Sequence, residues 1–313
     1  MITASLQEKI DNLDVESFWE KGYIVIPDAF TMDEIEAYRQ ASMATRASGG
    51  ELLTRPGLSE VITDGRLAAV ARKLLGVEDI LYAGDSSVTI NSGQVGWHKD
   101  NADRQDANAP DWRSRYTQLR FGIYLQDHIH HSGGLNLREG SQDIVDLTSG
   151  KCLYLKTTPG DLAVWNMRIT HSGNGILLKD PEAAYPTPAE HKNIPVEQQA
   201  PLHEHRMAVF AHLGANDSHG HRYADYLKTR TYIVNMWRRQ GYSEEVREAV
   251  KRAGITLRDM PAEVANDPDA GLSKDWKPIP YEAAAKVPQT ENQKPVSFLG
   301  RVKRKARRML SGA

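Results

Sequence analysis

The run QLRFGIYLQD, residues 118–127, sets Leu119, Phe121, Ile123 and Leu125 against Arg120, Gly122, Tyr124 and Gln126. That alternation has the period of a β-strand, in which successive side chains point to opposite faces. From residue 81 to about 213 the chain continues as short extended runs separated by Gly, Asp, Asn and Pro, among them the turn-strand PGDLAVWNM and the strand RMAVFAHLG. Many short strands with turn signals argue for a sandwich or barrel. The part before residue 81 reads as helical. Thr31 and Glu34 have capping-box spacing, and Leu67, Val70, Ala71 and Leu74 share one helical face ahead of Gly76. Helices first and strands later predict an α+β layout with the sheet as its working part.

Composition narrows the function classes. Of 313 residues, 40% are hydrophobic and 26% charged, and the formal net charge of −2 gives no global attraction to nucleic acid. One cysteine, Cys152, excludes an internal disulfide framework. The start MITASLQEKIDNLDVESF has neither a basic nor an apolar leader region, so a cytoplasmic location is expected. No apolar run approaches the ~20 residues of a membrane span.

Chemistry concentrates in GWHKDNADR, residues 96–104. In an extended segment His98 and Asp100 point to the same side and can close on one metal ion. A third ligand is available in His171, which follows the strand DLAVWNM. Two imidazoles and a carboxylate leave three positions open on an octahedral Fe(II), the arrangement by which non-haem iron oxygenases hold a co-substrate and O2.

The ordered set of His98-x-Asp100, SGGLNLREGSQ, PGDLAVWNMRITHSGNG and HRMAVFAHLG, preceded by FWEKGYIVIPDAFTMDEIEAYR, resembles the phytanoyl-CoA dioxygenase family of Fe(II)/2-oxoglutarate oxygenases over roughly residues 15–215. The resemblance implies a double-stranded β-helix (a jelly-roll, cupin-like core) with N-terminal and flanking helices. It places His98, Asp100 and His171 on the iron triad, and Arg206 on the arginine that pairs with the distal carboxylate of 2-oxoglutarate. It further implies oxidative decarboxylation of that acid coupled to oxidation of a second substrate. With Asp100 present, hydroxylation is favoured over halogen transfer. Residues 1–290 are then expected to form one domain: a helical part to residue 80, a jelly-roll over 81–215 with an insert at 174–203, and a helical part over 216–290.

The chemistry of Arg206 agrees, since a guanidinium suits bidentate carboxylate binding. On a strand it shares a face with Ala208 and Phe210; Arg222 and Arg230 are the alternatives. The long connection to Arg206 contains Pro181, Pro186, Pro188, Pro195 and Pro201, the mark of a loop over the sheet. Asn91, Gln118 and Ser172 flank the triad with donors suited to 2-oxoglutarate, and Lys99 and Arg168 are weaker candidates for substrate contact. Trp97 and Trp165 read as core aromatics, and His128, His130 and His131 as solvated loop histidines.

The tail, residues 291–313, interleaves Arg301, Lys303, Arg304, Lys305, Arg307 and Arg308 with Phe298, Leu299, Val302, Ala306, Met309 and Leu310. This pattern suits either a disordered tail or peripheral contact with an anionic membrane through residues 296–310, with a lipid-linked substrate in the second case. The leading expectation is therefore an Fe(II)/2-oxoglutarate dioxygenase acting on a small or lipid-like molecule. A cupin-like metal-dependent isomerase or hydrolase, and a non-catalytic membrane-associated barrel, are the alternatives.

Overall fold

In a computed structural model, which describes residues 2–91, 96–127, 134–173, 179–180, 193–199 and 205–271, the alternating run becomes a central strand of the larger of two sheets. The described elements open with helices α1 (Ala4–Asp11) and α2 (Val15–Lys21), strand β1 (Tyr23–Ile26), and helices α3 (Met32–Ala44), α4 (Glu60–Thr63) and α5 (Arg66–Leu75). Strands β2 (Ile80–Tyr82), β3 (Ser86–Ile90), β4 (Gln118–Tyr124), β5 (Leu135–Glu139), β6 (Lys151–Leu155), β7 (Leu162–Asn166), β8 (His171–Gly173) and β9 (Met207–Ala215) follow. Helices α6 (Ser218–Lys228), α7 (Thr231–Arg239) and α8 (Glu244–Arg252), strand β10 (Ile255–Leu257) and helix α9 (Met260–Ala265) complete the order.

The larger sheet runs β1-β7-β4-β9-β2-β10, with β3 also on β9, and the smaller runs β6-β5-β8. His98 extends the smaller sheet by bridging to His171 on β8. From β3 onward the chain thus passes back and forth between the row β3-β9-β4-β7 and the row His98-β8-β5-β6, apart from the β5–β6 hairpin that stays within the second row, which is the winding of a jelly-roll. Its interior is a cluster drawn from both sheets: Tyr124, Ala163, Trp165 and Ala208 meet Leu135, Leu137 and Leu155.

The outer face of the large sheet, including Leu119, Phe121, Ile123, Val164, Val209 and Leu213, packs with Leu67, Val70, Ala71 and Leu74 of α5 in the main core. The stripe read in the sequence is therefore buried, and Gly76 ends that helix in the left-handed region at φ 68°. Thr31 and Glu34 form both bonds of the capping box at α3.

Two strands interrupt segments read as helical. β1, the run YIVI, pairs antiparallel with β7, and β10 pairs parallel with β2. Each is short, and partners distant in sequence supply the ladder that makes it a strand. Most of the 174–203 insert, residues 128–133 with the three loop histidines, and the basic tail lie outside the described residues. No helix among the described residues is long and apolar enough to cross a membrane.

Candidate metal centre

His98 and His171 exchange both backbone hydrogen bonds, N–H to O at 3.0 and 2.9 Å, so their rings emerge on the same face. The Asp100 backbone N–H donates to Met167 O at 2.9 Å and fixes the next pleat. Each imidazole is then oriented by its own backbone. Nδ1 of His98 lies 2.8 Å from Gly96 O, and Nδ1 of His171 lies 3.1 Å from Ile169 O. A carbonyl only accepts, so both Nδ1 atoms carry the proton and both Nε2 atoms present a lone pair.

Those lone pairs converge on one carboxylate. His98 Nε2 is 3.7 Å from Asp100 Oδ1, and His171 Nε2 is 3.5 Å from Asp100 Oδ2. The cluster offers three ligand atoms within 4.8 Å of one another. Such spacing suits a single ion bonded to each atom at ~2 Å. Burial first, then His98, pulls the His171 pKa down to about 4, which keeps that ring neutral for ligation. Burial alone would raise the Asp100 carboxyl, but the Arg120 guanidinium beside it outweighs burial and holds the group below the usual carboxylate range.

Arg120 is the functional residue that the sequence reading missed. It projects from the inner face of β4, where its Nε donates to Asp100 Oδ2 at 3.2 Å and its Nη1 pairs with Asp85 Oδ2 at 2.8 Å. Tyr223 closes the group, accepting from Arg120 Nη2 at 3.3 Å and donating to Asp85 at 2.7 Å. Metal ligands are commonly held by such outer partners. The available signal was the inner-face series Arg120, Gly122 and Tyr124, polar or small where a purely structural strand would be apolar.

Arg206 is buried at the start of β9, and its Nη2 lies near the Gly173 backbone, 3.9 Å from where a Cβ would stand. It therefore reaches across the barrel to β8. Gly173 is two residues from His171 on the same face, one pleat or roughly 7 Å along the strand. Asn91, in the left-handed region at φ 51°, exchanges bonds with the Arg206 backbone and meets His205 Nδ1 at 2.7 Å through its amide. Gln118 lies between His212 Nε2, at 2.9 Å, and Ala215 O, at 3.2 Å. Ser172 is buried on β8 but alternates away from the face that carries His171 and Gly173.

Lys99 and Arg168 are built into the loops behind the cluster. Lys99 is buried and donates to Ser141 O at 2.9 Å and Arg168 O at 2.7 Å; burial, then Arg168, lowers its pKa to about 7. Arg168 donates to Asp111 O, Ser114 O and Asp143 Oδ1. Of the alternatives to Arg206, Arg222 is fully buried against Asp103, and Arg230 lies over Tyr226 and Tyr232. Trp165 is buried with its ring 5.7 Å from His171, whereas Trp97 is half-buried under Arg138.

No family model matches the chain. The chain is similar to the ectoine dioxygenase of Stutzerimonas stutzeri (strain A1501), at 29% identity over 152 residues, 41% of this chain and 49% of that protein. It thus spans about half the length of that curated relative. Among solved structures, the non-heme alpha ketoglutarate dependent carbocyclase SnoK from nogalamycin biosynthesis aligns at TM-score 0.46 and 16% identity, over 66% of this chain and 86% of that one. EctD from S. alaskensis, with 2-oxoglutarate and 5-hydroxyectoine, aligns at TM-score 0.45 and 20% identity, over 64% and 74%.

Proposed function

We propose that the protein is an Fe(II)- and 2-oxoglutarate-dependent dioxygenase that hydroxylates a small organic substrate while 2-oxoglutarate is decarboxylated to succinate and CO2. The observation that carries this reading is the convergence of two Nε2 lone pairs on the Asp100 carboxylate, with each Nδ1–H tied to a carbonyl. The donor set fits Fe(II): two neutral nitrogens and one anionic oxygen, with no thiolate, leave positions open for a co-substrate. The similarity to an ectoine dioxygenase supports the class, and the phytanoyl-CoA dioxygenase resemblance is compatible with it.

Iron, when bound, supplies the redox chemistry and the positions at which 2-oxoglutarate and O2 meet. The chain's residues do the rest. His98, Asp100 and His171 hold the metal, and Arg120 fixes the Asp100 carboxylate. Arg206 receives the distal carboxylate of 2-oxoglutarate, one pleat from His171, a span suited to a five-carbon diacid. Trp165, Phe210 and Tyr124 line the inside of the barrel beside this region with edge-to-face ring contacts.

Anaerobic titration of the protein with Fe(II) and then 2-oxoglutarate tests the proposal. A weak visible charge-transfer band is expected in the wild type and is lost in His98→Ala. Iron binding without that band at saturating 2-oxoglutarate would overturn the reading in favour of an isomerase or hydrolase.

A further inference from the structure

On the α6–α7 side of the metal centre two guanidinium groups share one phenol. Arg104, four residues after Asp100, donates from Nη1 to the Tyr226 hydroxyl at 3.0 Å, with its Cζ 5.7 Å from the ring centroid. Arg230, the residue that caps α7, donates to the same oxygen, and its Cζ lies 5.4 Å from the Tyr226 ring and 5.0 Å from that of Tyr232. Among the described residues neither arginine has a carboxylate within ion-pair distance, and the Arg230 Nε is buried without a hydrogen-bond partner. Among the described residues a hydroxyl shared by two cations brings neither of them a compensating charge, while their planar donors are held in place by the aromatic faces.

The surrounding acids are already engaged. Asp85 and Asp100 flank Arg120, and Asp103 is paired with Arg222. The site also borders the chemistry. The Tyr226 ring is 5.9 Å from that of Tyr223, whose hydroxyl contacts Asp85 and Arg120, and Arg120 contacts Asp100. Tyr232 is 65% exposed, so this side opens to solvent. Arg206, by contrast, lies beside Tyr124 and Gly173, and the two basic positions are separate.

We propose that Arg104, Arg230 and the Tyr226 hydroxyl form an oxyanion subsite beside the metal centre, and that the prime substrate carries a carboxylate or phosphate group that docks there. The subsite itself stands on the arginine geometry; only its assignment to the prime substrate rests on the oxygenase reading. Bidentate donation from two preoriented guanidiniums would anchor the anionic end of the molecule and direct its remainder past Tyr223 toward the metal.

The test uses the full-length, metal-free protein, with inorganic phosphate and acetate as separate probes in calorimetric titrations. Saturable binding of at least one probe is expected in the wild type, weakened about tenfold or more in both Arg104→Gln and Arg230→Gln and retained in Arg206→Gln. Near-ultraviolet circular dichroism establishes that each variant is folded. Phosphate binding alone identifies a phosphate-bearing substrate, and acetate binding alone a carboxylate. Binding unchanged in Arg104→Gln and Arg230→Gln, or absent from the wild type, overturns the subsite even where the charge-transfer band appears. Probe binding that depends on these arginines in a protein giving no such band leaves the subsite standing and removes the oxygenase reading.

Discussion

The Nε–H of Arg120 meets Oδ2 of Asp100 at 3.2 Å while the same guanidinium holds Asp85 at 2.8 Å, so one partly buried cation ties the candidate metal carboxylate to the loop that precedes β3. Asp100 is thereby kept ionised and fixed in rotation. Removing the guanidinium should lower affinity for the metal about 10- to 100-fold, the usual cost of losing an outer partner. Ni(II) titration of Arg120→Ala and Arg120→Lys measures it. Lysine is expected to recover only part of the loss, because it cannot contact both carboxylates through a rigid fork. Wild-type affinity in a folded Arg120→Ala protein would refute the positioning role.

His98 is a more isolated element. Its ring is partly exposed, and among the described residues its Nδ1 meets the Gly96 carbonyl. His98→Ala should therefore abolish 2-oxoglutarate consumption while shifting the unfolding free energy by less than about 1 kcal/mol, the scale of one hydrogen bond. Asp100→Ala should also abolish turnover, with Asp85 still pairing Arg120. Retained turnover in either variant, measured as succinate formed, contradicts the triad.

The triad was readable because two of its members are local: i and i+2 share a side in any extended segment, whatever the partner strand. Arg120 was not. Period two at β4 reveals two faces, but both are covered here, with Leu119, Phe121 and Ile123 against the helices and Arg120, Gly122 and Tyr124 toward the smaller sheet. Which face lines the interior depends on a second layer far away in sequence. The same limit applies to Lys99, whose side chain alternates away from those of His98 and Asp100 and reaches the loop carbonyls of Ser141 and Arg168 behind the site. β1 was hidden because four residues of strand propensity carry little information until β7 lies beside them.

Arg206 makes a separable prediction. Arg206→Ala should raise the 2-oxoglutarate concentration needed for half-maximal turnover far more than the iron concentration. Losing a buried charge-assisted pair costs on the order of 2–5 kcal/mol, or roughly thirty-fold to several thousand-fold in affinity. Half-saturation values for both, determined in the same preparation, provide the check. An equal rise in the two would point to general damage at the start of β9.

Glu51 gives a pH signature remote from the metal. Its carboxylate is buried and accepts from Tyr82, from Ser86 at 2.8 Å and from the Leu53 N–H at 3.1 Å. Burial nevertheless raises its pKa from the ordinary 4.5. The folded state thus holds this proton to higher pH than the unfolded chain does, and stability falls as pH rises from about 4.5 through the folded value. Glu51→Gln removes that decline. Urea unfolding at pH 4 and pH 8 should show the variant gaining on the wild type as pH increases, and parallel pH profiles would contradict the assignment.

Gly122 tests the packing that places Trp165 against His171. A Cβ at Gly122 would stand 2.9 Å from Cζ3 and 3.1 Å from Cη2 of Trp165, and 3.3 Å from Phe210. The indole is enclosed by the interior cluster, and its ring centroid is 5.7 Å from that of His171. Gly122→Ala therefore has to displace the indole toward the centre or spread β4 from β7. Overpacking of this kind costs typically about 1–3 kcal/mol. Phenylalanine at 165 removes the overlapping ring, so Gly122→Ala should be much less damaging in a Trp165→Phe background than in the wild type. The coupling, read from urea midpoints of the two single variants and the double variant, is expected to reach at least about 0.5 kcal/mol. Ni(II) affinity should fall in Gly122→Ala and recover in the double variant, since the displaced ring is what disturbs His171. Additive stability changes with unaltered metal binding would show that Trp165 does not transmit packing at β4 to the metal centre.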